Sequence, residues 1–484
     1  MQNKVQLITY VDRLTGGGLK ELNELLNGDL KGLFGGIHVL PFFYPIDGVD
    51  AGFDPIDHRK VDARLGSWDD IKILSGDLDV MADLIVNHIS SESPEFTDYL
   101  EHGSQSAYAP MILTKDHVFT NGDSHDITKI YRPRPGSPFT EFLTKSGETA
   151  LVWTTFSPGQ IDINIDHELG RKYILDILDI YHEHGVAAIR LDAVGYAVKK
   201  AGTSCFMIDE THEFIKELTR EANSRDITVL VEIHSYFRNQ IKIAELTNYV
   251  YDFALPPLVL HALYNGTVRY LDEWLTMSPR NAITVLDTHD GIGIIDVGMN
   301  PDNPSEKGLL SNDEIDSLVD EIHKRTNGES FMATGENANN WDLYQVNCTY
   351  FDALGKDENL YLMARAIQFF CPGIPQVYYM GYLCQLNDIE LLKETGTGRA
   401  INRTKFDDLK LKEALQRPIV GKLNRLIEFR NSLDAFNGDF TREKISDSSM
   451  RFSWRGADSW ATLEINLDQS SFEINSSDGI LSFS

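Results

Sequence analysis

Cysteine and basic residues are both scarce in this 484-residue chain. The four cysteines, Cys205, Cys348, Cys371 and Cys384, show neither CxxC nor any metal-ligand spacing. That excludes a disulfide framework and a cysteine-held metal centre, and predicts reduced core or loop residues. Lys and Arg number 44 against 73 Asp and Glu, a formal net charge of −29. Such a surface repels nucleic acid and anionic lipid, so neither is expected as a partner. It also sets a condition: an anionic substrate must be met by a local cluster of arginines. No apolar run approaches the roughly 20 residues that cross a bilayer. The opening MQNKVQLITYVDR lacks a basic segment followed by an apolar stretch, so it reads as a mature strand of a cytoplasmic protein.

What is present is a series of short buried-looking runs: Val5–Tyr10, Gly36–Phe43, Met81–Asn87, Gly185–Asp192, Thr228–His234, Tyr249–Leu255, Ala282–Asp287 and Ile374–Met380. Helical patterns lie between several of them. In Arg171–His184, Tyr173, Ile174, Ile177, Leu178 and Tyr181 fall on one face, and Gly185 stops the helix. Eight apolar strands alternating with helices predict an α/β protein built on a (β/α)₈ barrel. A doubly wound open sheet is the competing fold, but it accounts less well for polar residues at so many strand ends.

Two connections are too long for plain loops. Residues 89–166, after the third strand, contain YRPRPGSPF, and residues 291–355 follow the seventh. Both are expected to fold as subdomains over the C-terminal face of a barrel formed by 1–88, 167–290 and 356–435. Residues 436–484 change character, with SMRFSWRG, SWATLEIN and SFEIN alternating as a small antiparallel β domain does.

Three of the runs end in carboxylates: GVAAIRLDAVGY in Asp192, TVLVEIHSY in Glu232 and AITVLDTHDG in Asp290. An unpaired polar group cannot sit mid-core, so each switch to charge marks a strand emerging at a site. Alone, a strand-end Asp is more often a helix cap or an ion-pair partner, and Glu232 a buried structural pair. Three in order, two of them with a nearby histidine, favour glycosidic chemistry, which needs an ionised nucleophile and a protonated acid flanking the scissile bond. Arg190, two residues before Asp192 on the same strand face, favours the charged nucleophile. Glu232 has no cation beside it in sequence, and a drier setting would raise its pKa as a general acid requires. Asp290, preceded by His289, can stabilise a cationic transition state.

The segments ADLIVNH, IRLDAVGY, LVEIHSY and VLDTHDG, in this order, resemble the conserved segments of the α-amylase superfamily of glycoside hydrolases. LPFFYPIDGVDAGFDPIDH, RPRPGSPF, AGTSCFM, VYDFALPPLVLHAL, DTHDGIGIIDVG, DLYQVNCTYFDALG and GIPQVYYMG are similar to its sucrose phosphorylase branch, from the N-terminus to about residue 435. The resemblance implies that Asp192 is the nucleophile, Glu232 the general acid/base and Asp290 the transition-state stabiliser. It implies a glucosyl pocket of Asp50, His88, Arg190, His289 and Arg399 with Phe53 and Phe156 as walls. Tyr196, His234, Asp342, Tyr344 and Gln345 would surround the fructosyl or phosphate position, with Arg134 as its cation. Taken alone, Phe53 and Phe156 fit core beneath a loop, His88 a core histidine, Arg399 a turn arginine and Arg134 a solvated one.

The implied reaction is double displacement, sucrose plus phosphate giving α-D-glucose 1-phosphate and fructose, without metal or organic cofactor. Many superfamily members bind a structural calcium beside the Asn of the NH pair, here Asn87, but no clear acidic partner set stands in 89–166. Trp341 either stacks on an acceptor or packs its loop. Rival readings are a sister phosphorylase releasing fructose 6-phosphate, glycerate or glycerol, and an α-glucosidase or transglucosidase. A catalytically dead barrel used for binding is disfavoured because all three carboxylates are present. The resemblance is compatible with a homodimer and with a monomer.

Overall fold

The computed structural model describes residues 1–48, 51–119, 126–132, 136–301, 303–334 and 345–483. Its centre is a closed barrel of eight parallel strands: β1 (Gln6–Thr9), β2 (Gly36–Val39), β3 (Asp79–Ile85), β4 (Ala188–Asp192), β5 (Thr228–Val231), β6 (Tyr249–Asp252), β7 (Ala282–Thr284) and β8 (Ile374–Tyr378). Neighbours in the barrel are neighbours in sequence, with β8 pairing β1 to close it. Each strand falls within or nearly within the run that predicts it. The strands are buried on both faces, by helices outside and by one another inside, so they read as apolar runs and not as alternation. The runs overshoot at their C-terminal ends because the residues there leave the ladder to form the barrel mouth.

The helix expected at Arg171–His184 spans Glu168–Glu183 and buries the predicted face of Tyr173, Ile174, Ile177, Leu178 and Tyr181. Gly185 follows at φ 76°, a left-handed conformation that glycine adopts without steric penalty. Fully burying one such aliphatic side chain contributes about 1.5–3 kcal/mol.

Between β3 and β4 the chain forms the helix Pro94–His102, a hairpin of Phe139–Leu143 and Thr149–Trp153, and a short ladder of His88–Ser90 with Gln160–Asp162. Between β7 and β8 lie the helices Asn312–Arg325 and Glu329–Thr334 and a ladder of Ile292–Gly293 with Gln345–Val346. The chain ends in a five-stranded antiparallel sheet, β9 (Asp439–Lys444), β10 (Ser449–Arg455), β11 (Trp460–Asn466), β12 (Ser471–Ser476) and β13 (Gly479–Leu481). Met450, Phe452 and Trp454 of β10 alternate inward with Ala461, Leu463 and Ile465 of β11. The Trp454 indole N–H donates to the Phe370 carbonyl at 2.8 Å, which ties the sheet to the helix Glu358–Phe370. All four cysteines are buried and free.

Candidate active site

On β4 the period of two sends Ile189 and Leu191 one way and Arg190 and Asp192 the other. Register pairs Arg190 with Asp83 of β3 and with Leu230 of β5. The result is a charged knot in the upper barrel. Arg190 Nη1 lies 2.7 Å from Asp83 Oδ1 and 3.0 Å from Asp192 Oδ1, while Nη2 stands 3.7 Å from Glu232 Oε1. Burial alone would lower the Arg190 pKa, but Asp83, Glu232 and Asp192 outweigh it and hold the guanidinium firmly cationic. Asp83 is completely buried and takes a second bond from His38 Nε2 at 3.1 Å. Burial pushes its carboxyl up, and the opposing pull of His38 and Arg190 brings it down to about 2.

Arg190 therefore serves three carboxylates, two of which, Asp192 and Glu232, face the pocket. The expectation that Glu232 lacks a neighbouring cation holds along the chain and fails in space, because β4 and β5 are adjacent in the barrel. Asp192 is the last residue of β4 and Glu232 the first beyond β5, whereas Asp290 lies on the segment that follows β7. Asp192 and Glu232 side chains are each 15% exposed, enough to meet a ligand from the mouth. Ala193, directly after Asp192, has φ 53°, a left-handed conformation that costs about 1–2 kcal/mol for an alanine. Strain of that kind clusters where a functional side chain must be aimed.

Asp290 faces three cations or partial cations. Arg399 Nη1 is 2.9 Å from its Oδ1, and His289 Nε2 and Arg403 Nη2 are each 3.6 Å away. Burial would raise the Asp290 carboxyl; Arg399, His289, Arg403 and Arg190 together drive it far below the usual range. His289 is itself held well below its usual pKa, by burial first and by Arg190 and Arg403, against the opposing pull of Asp290. Its ring stacks on Phe53 at 5.0 Å, and the Arg190 guanidinium lies over the Phe53 ring, 5.5 Å from its centroid.

These groups open on one pocket of about 730 Å³, including its mouth. Of the residues expected at the site, Phe53, His88, Phe156, Arg190, Asp192, Tyr196, Glu232, His234, His289, Asp290 and Arg399 all line it. Gln345 is 1% exposed and stands behind the wall, its Oε1 accepting from Arg399 Nη2 at 3.3 Å and from the Gly291 amide at 3.2 Å. Asp50, Arg134, Asp342 and Tyr344, and with them Trp341, lie outside the described residues. One wall is aromatic: Phe156 meets Tyr196 edge-on at 5.1 Å, and Tyr196 packs on Phe206 at 4.6 Å. His88 contacts both Phe53, through its carbonyl at 3.0 Å, and Gln160 at 3.1 Å. A pocket with dense polar groups on one side and ring faces on the other matches the hydroxyls and C–H patches of a sugar.

Several of these residues escape a reading along the chain. Asp83 and Phe206 sit in the quoted ADLIVNH and AGTSCFM segments, but nothing local distinguishes them from core. Lys199 is another. Its ammonium is 2.7 Å from Asp162 Oδ2 and 2.8 Å from Asn87 Oδ1 and also donates to the Tyr196 carbonyl. An oxygen cage thus does form at Asn87, with Asp162 as its acidic member, and a lysine of this chain fills it. Glu232, His234 and Asp290 also bring ligand-type atoms within 4.8 Å of one another. Arg190 and Arg399 already balance those carboxylates, so the group does not read as a metal centre. Because Lys199 joins the end of β3 to the segment carrying Tyr196, Lys199→Met is expected to cost about 3–5 kcal/mol by leaving Asp162 buried without its cation. A urea unfolding midpoint equal to wild type would contradict that role.

Comparison with known proteins agrees with this geometry. The family described as the alpha amylase catalytic domain matches residues 28–250. The chain is 55% identical over 478 residues to a sucrose phosphorylase of Agrobacterium vitis, covering 99% of this chain and 98% of that protein. It is 52% identical to a sucrose phosphorylase of Bifidobacterium adolescentis, covering 96% and 92%. The crystal structure of the sucrose 6F-phosphate phosphorylase from Thermoanaerobacter thermosaccharolyticum superposes with a TM-score of 0.91 at 38% identity, covering 99% of this chain and 97% of that one. With the barrel, the three carboxylates and near full-length identity in agreement, this chain belongs to the sucrose phosphorylase branch of the α-amylase superfamily.

Proposed function

We propose that the protein is a sucrose phosphorylase that retains configuration at the glucosyl carbon. The observation that carries the reading is the Arg190 knot, which holds Asp192 and Glu232 on adjacent strand ends inside a sugar-shaped pocket. In the first displacement an Asp192 oxygen bonds to C1 of the glucosyl unit as the C1–O bond to fructose breaks. Glu232 gives its proton to the departing fructose oxygen. Esterification removes the negative charge of Asp192, so Arg190 then acts on Glu232 with one competitor fewer and favours its ionised form. In the second displacement a phosphate oxygen bonds to C1 and the Asp192 ester breaks, while Glu232 takes a proton from the phosphate. Asp290, kept anionic by Arg399 and its other cations, stabilises the oxocarbenium-like charge in both steps.

Arg134 and Tyr344 are the proposed phosphate ligands, Asp342 and Gln345 the acceptor-side residues, and Asp50 a glucosyl ligand. A cytoplasmic location belongs to the same reading, which is compatible with a homodimer and with a monomer. No helix among the described residues is long and apolar enough to cross a membrane. Incubation with sucrose should yield glucose 1-phosphate and fructose in equal amounts only when phosphate is added. Free glucose released at the same rate with and without phosphate would instead mark a glucosidase, the second reading the pocket allows.

A further inference from the structure

Below the acceptor side of the pocket lies a carboxylate that plays no part in the reaction as written. Asp296, in the short turn Ile295–Val297, is completely buried. Its Oδ1 accepts from the Ser235 amide at 3.1 Å and from Gln240 Nε2 at 2.8 Å, and its Oδ2 accepts from His234 Nδ1 at 2.8 Å. With Nδ1 engaged, the other ring nitrogen of His234 faces the pocket, 3.9 Å from Glu232 Oε1. The ring is clamped flat on Phe253 at a centroid distance of 3.9 Å and an angle of 14°. The fold leaves room for this pair at one position in particular. A Cβ on Gly293 would overlap Asp296 Oδ2 and come 2.9 Å from His234 Nδ1.

We propose that Asp296 is a positioning residue for phosphate: it fixes the His234 ring with Nδ1–H on its own Oδ2 and keeps that ring as a cation turned toward the acceptor. The inference rests on the phosphorylase reading above. The charges around the ring agree with it. Among the described residues, the charged groups facing His234 include Asp296 from its turn, Glu232 from the end of β5 and Asp290 from the segment after β7, all acidic. Burial would lower the His234 pKa, but Asp296, Glu232 and Asp290 outweigh burial and raise it. Asp252, at the end of β6, is also near; burial, with the charge of Asp296 adding to it, pushes its carboxyl up to about 7. A raised imidazole pKa extends the cation to higher pH, and the charge is lost as pH rises through that value. A dianionic acceptor in a chain of net charge −29 needs such a cation.

The test combines Asp296→Asn, His234→Gln and the double variant. For D296N, loss of a charge-assisted contact to phosphate should raise the KM for phosphate about tenfold or more. The kcat/KM for sucrose should fall less, and the alkaline fall of kcat/KM for phosphate should move to lower pH. H234Q should show a similar KM and no such limb, and adding D296N to it should change nothing further. Asp296→Glu, which keeps the charge, should restore the limb, and with H234Q it maintains the test if D296N does not fold. Multiplicative effects of D296N and H234Q, or an alkaline limb that D296N leaves in place, would overturn the proposal. A ¹⁵N titration of the His234 ring needs no turnover and separates the two readings. An unchanged midpoint in D296N overturns the Asp296 role even where phosphorolysis proceeds, whereas wild-type protein that forms no glucose 1-phosphate overturns the phosphorylase reading and the phosphate role together.

Discussion

Asp192→Asn should reduce phosphorolysis of sucrose by about 10⁴-fold or more, because an amide cannot form the glucosyl ester on which both steps depend. Glu232→Gln should cost less, about 10²–10⁴-fold, since proton transfer is lost while the nucleophile remains. The two losses have different signatures. α-Glucosyl fluoride carries a leaving group that needs no proton, so it should restore the first displacement in Glu232→Gln and do nothing for Asp192→Asn. A steady-state assay with both donors reads this directly. Rescue of Asp192→Asn by the fluoride, or near-normal sucrose turnover in either variant, would show that the roles are wrongly assigned.

Arg190→Met should damage fold and function together. Arg190 is 3% exposed and its nearest partner, Asp83, is not exposed at all, so a methionine of similar volume leaves a buried carboxylate with His38 alone. Breaking a buried pair in this way costs about 3–5 kcal/mol. The companion change Asp83→Asn removes the stranded charge and should return part of that stability, without returning activity, because Asp192 and Glu232 still lack their shared cation. The pH dependence follows from the same pair. Asp83 is held at about 2 in the folded protein, below its ordinary value of 3.8. A depressed carboxylate contributes stability that is present above the ordinary value and lost as pH falls toward the folded one. In Arg190→Met that contribution is already absent, and protonation neutralises the stranded Asp83 as asparagine does, so the stability gap between the variant and wild type should narrow as pH falls below 3.8. Urea midpoints measured from pH 7 down to pH 3 check both statements; coincident curves at pH 7 would refute the first and a gap that stays constant or widens on acidification the second.

The Lys199 cage and the Asp296–His234 pair differ from Arg190 in where they act. Arg190 touches the two proposed catalytic carboxylates, whereas Lys199 and Asp296 hold pocket residues from behind. Damage to them should appear in stability or in acceptor affinity before it appears in the chemical step.

The eight strands and the three carboxylates were legible along the chain, for one physical reason. A strand buried on both faces must be apolar, and it becomes polar where it reaches solvent or a site, so both features leave a local signature. The helix face of Tyr173–Tyr181 was legible on the same ground. The strand bounds were less so, because Phe43, Asn87 and His234 continue each run in composition after the ladder hydrogen bonds have ended. The second layer of the site was not legible at all. Asp83 meets Arg190 across 107 residues, and Asp296 meets His234 across 62. Both read as one acid among many in an acidic chain. Sequence by itself determined which residue types stand at the barrel mouth, since burial and periodicity act between near neighbours. Only the closed barrel decided which charges share a partner. Strand adjacency sets Arg190 against Glu232 and Asp83, and the loop after β7 brings Asp296 beneath His234. Pairings of that kind depend on distance through space, for which a linear chain carries no local term.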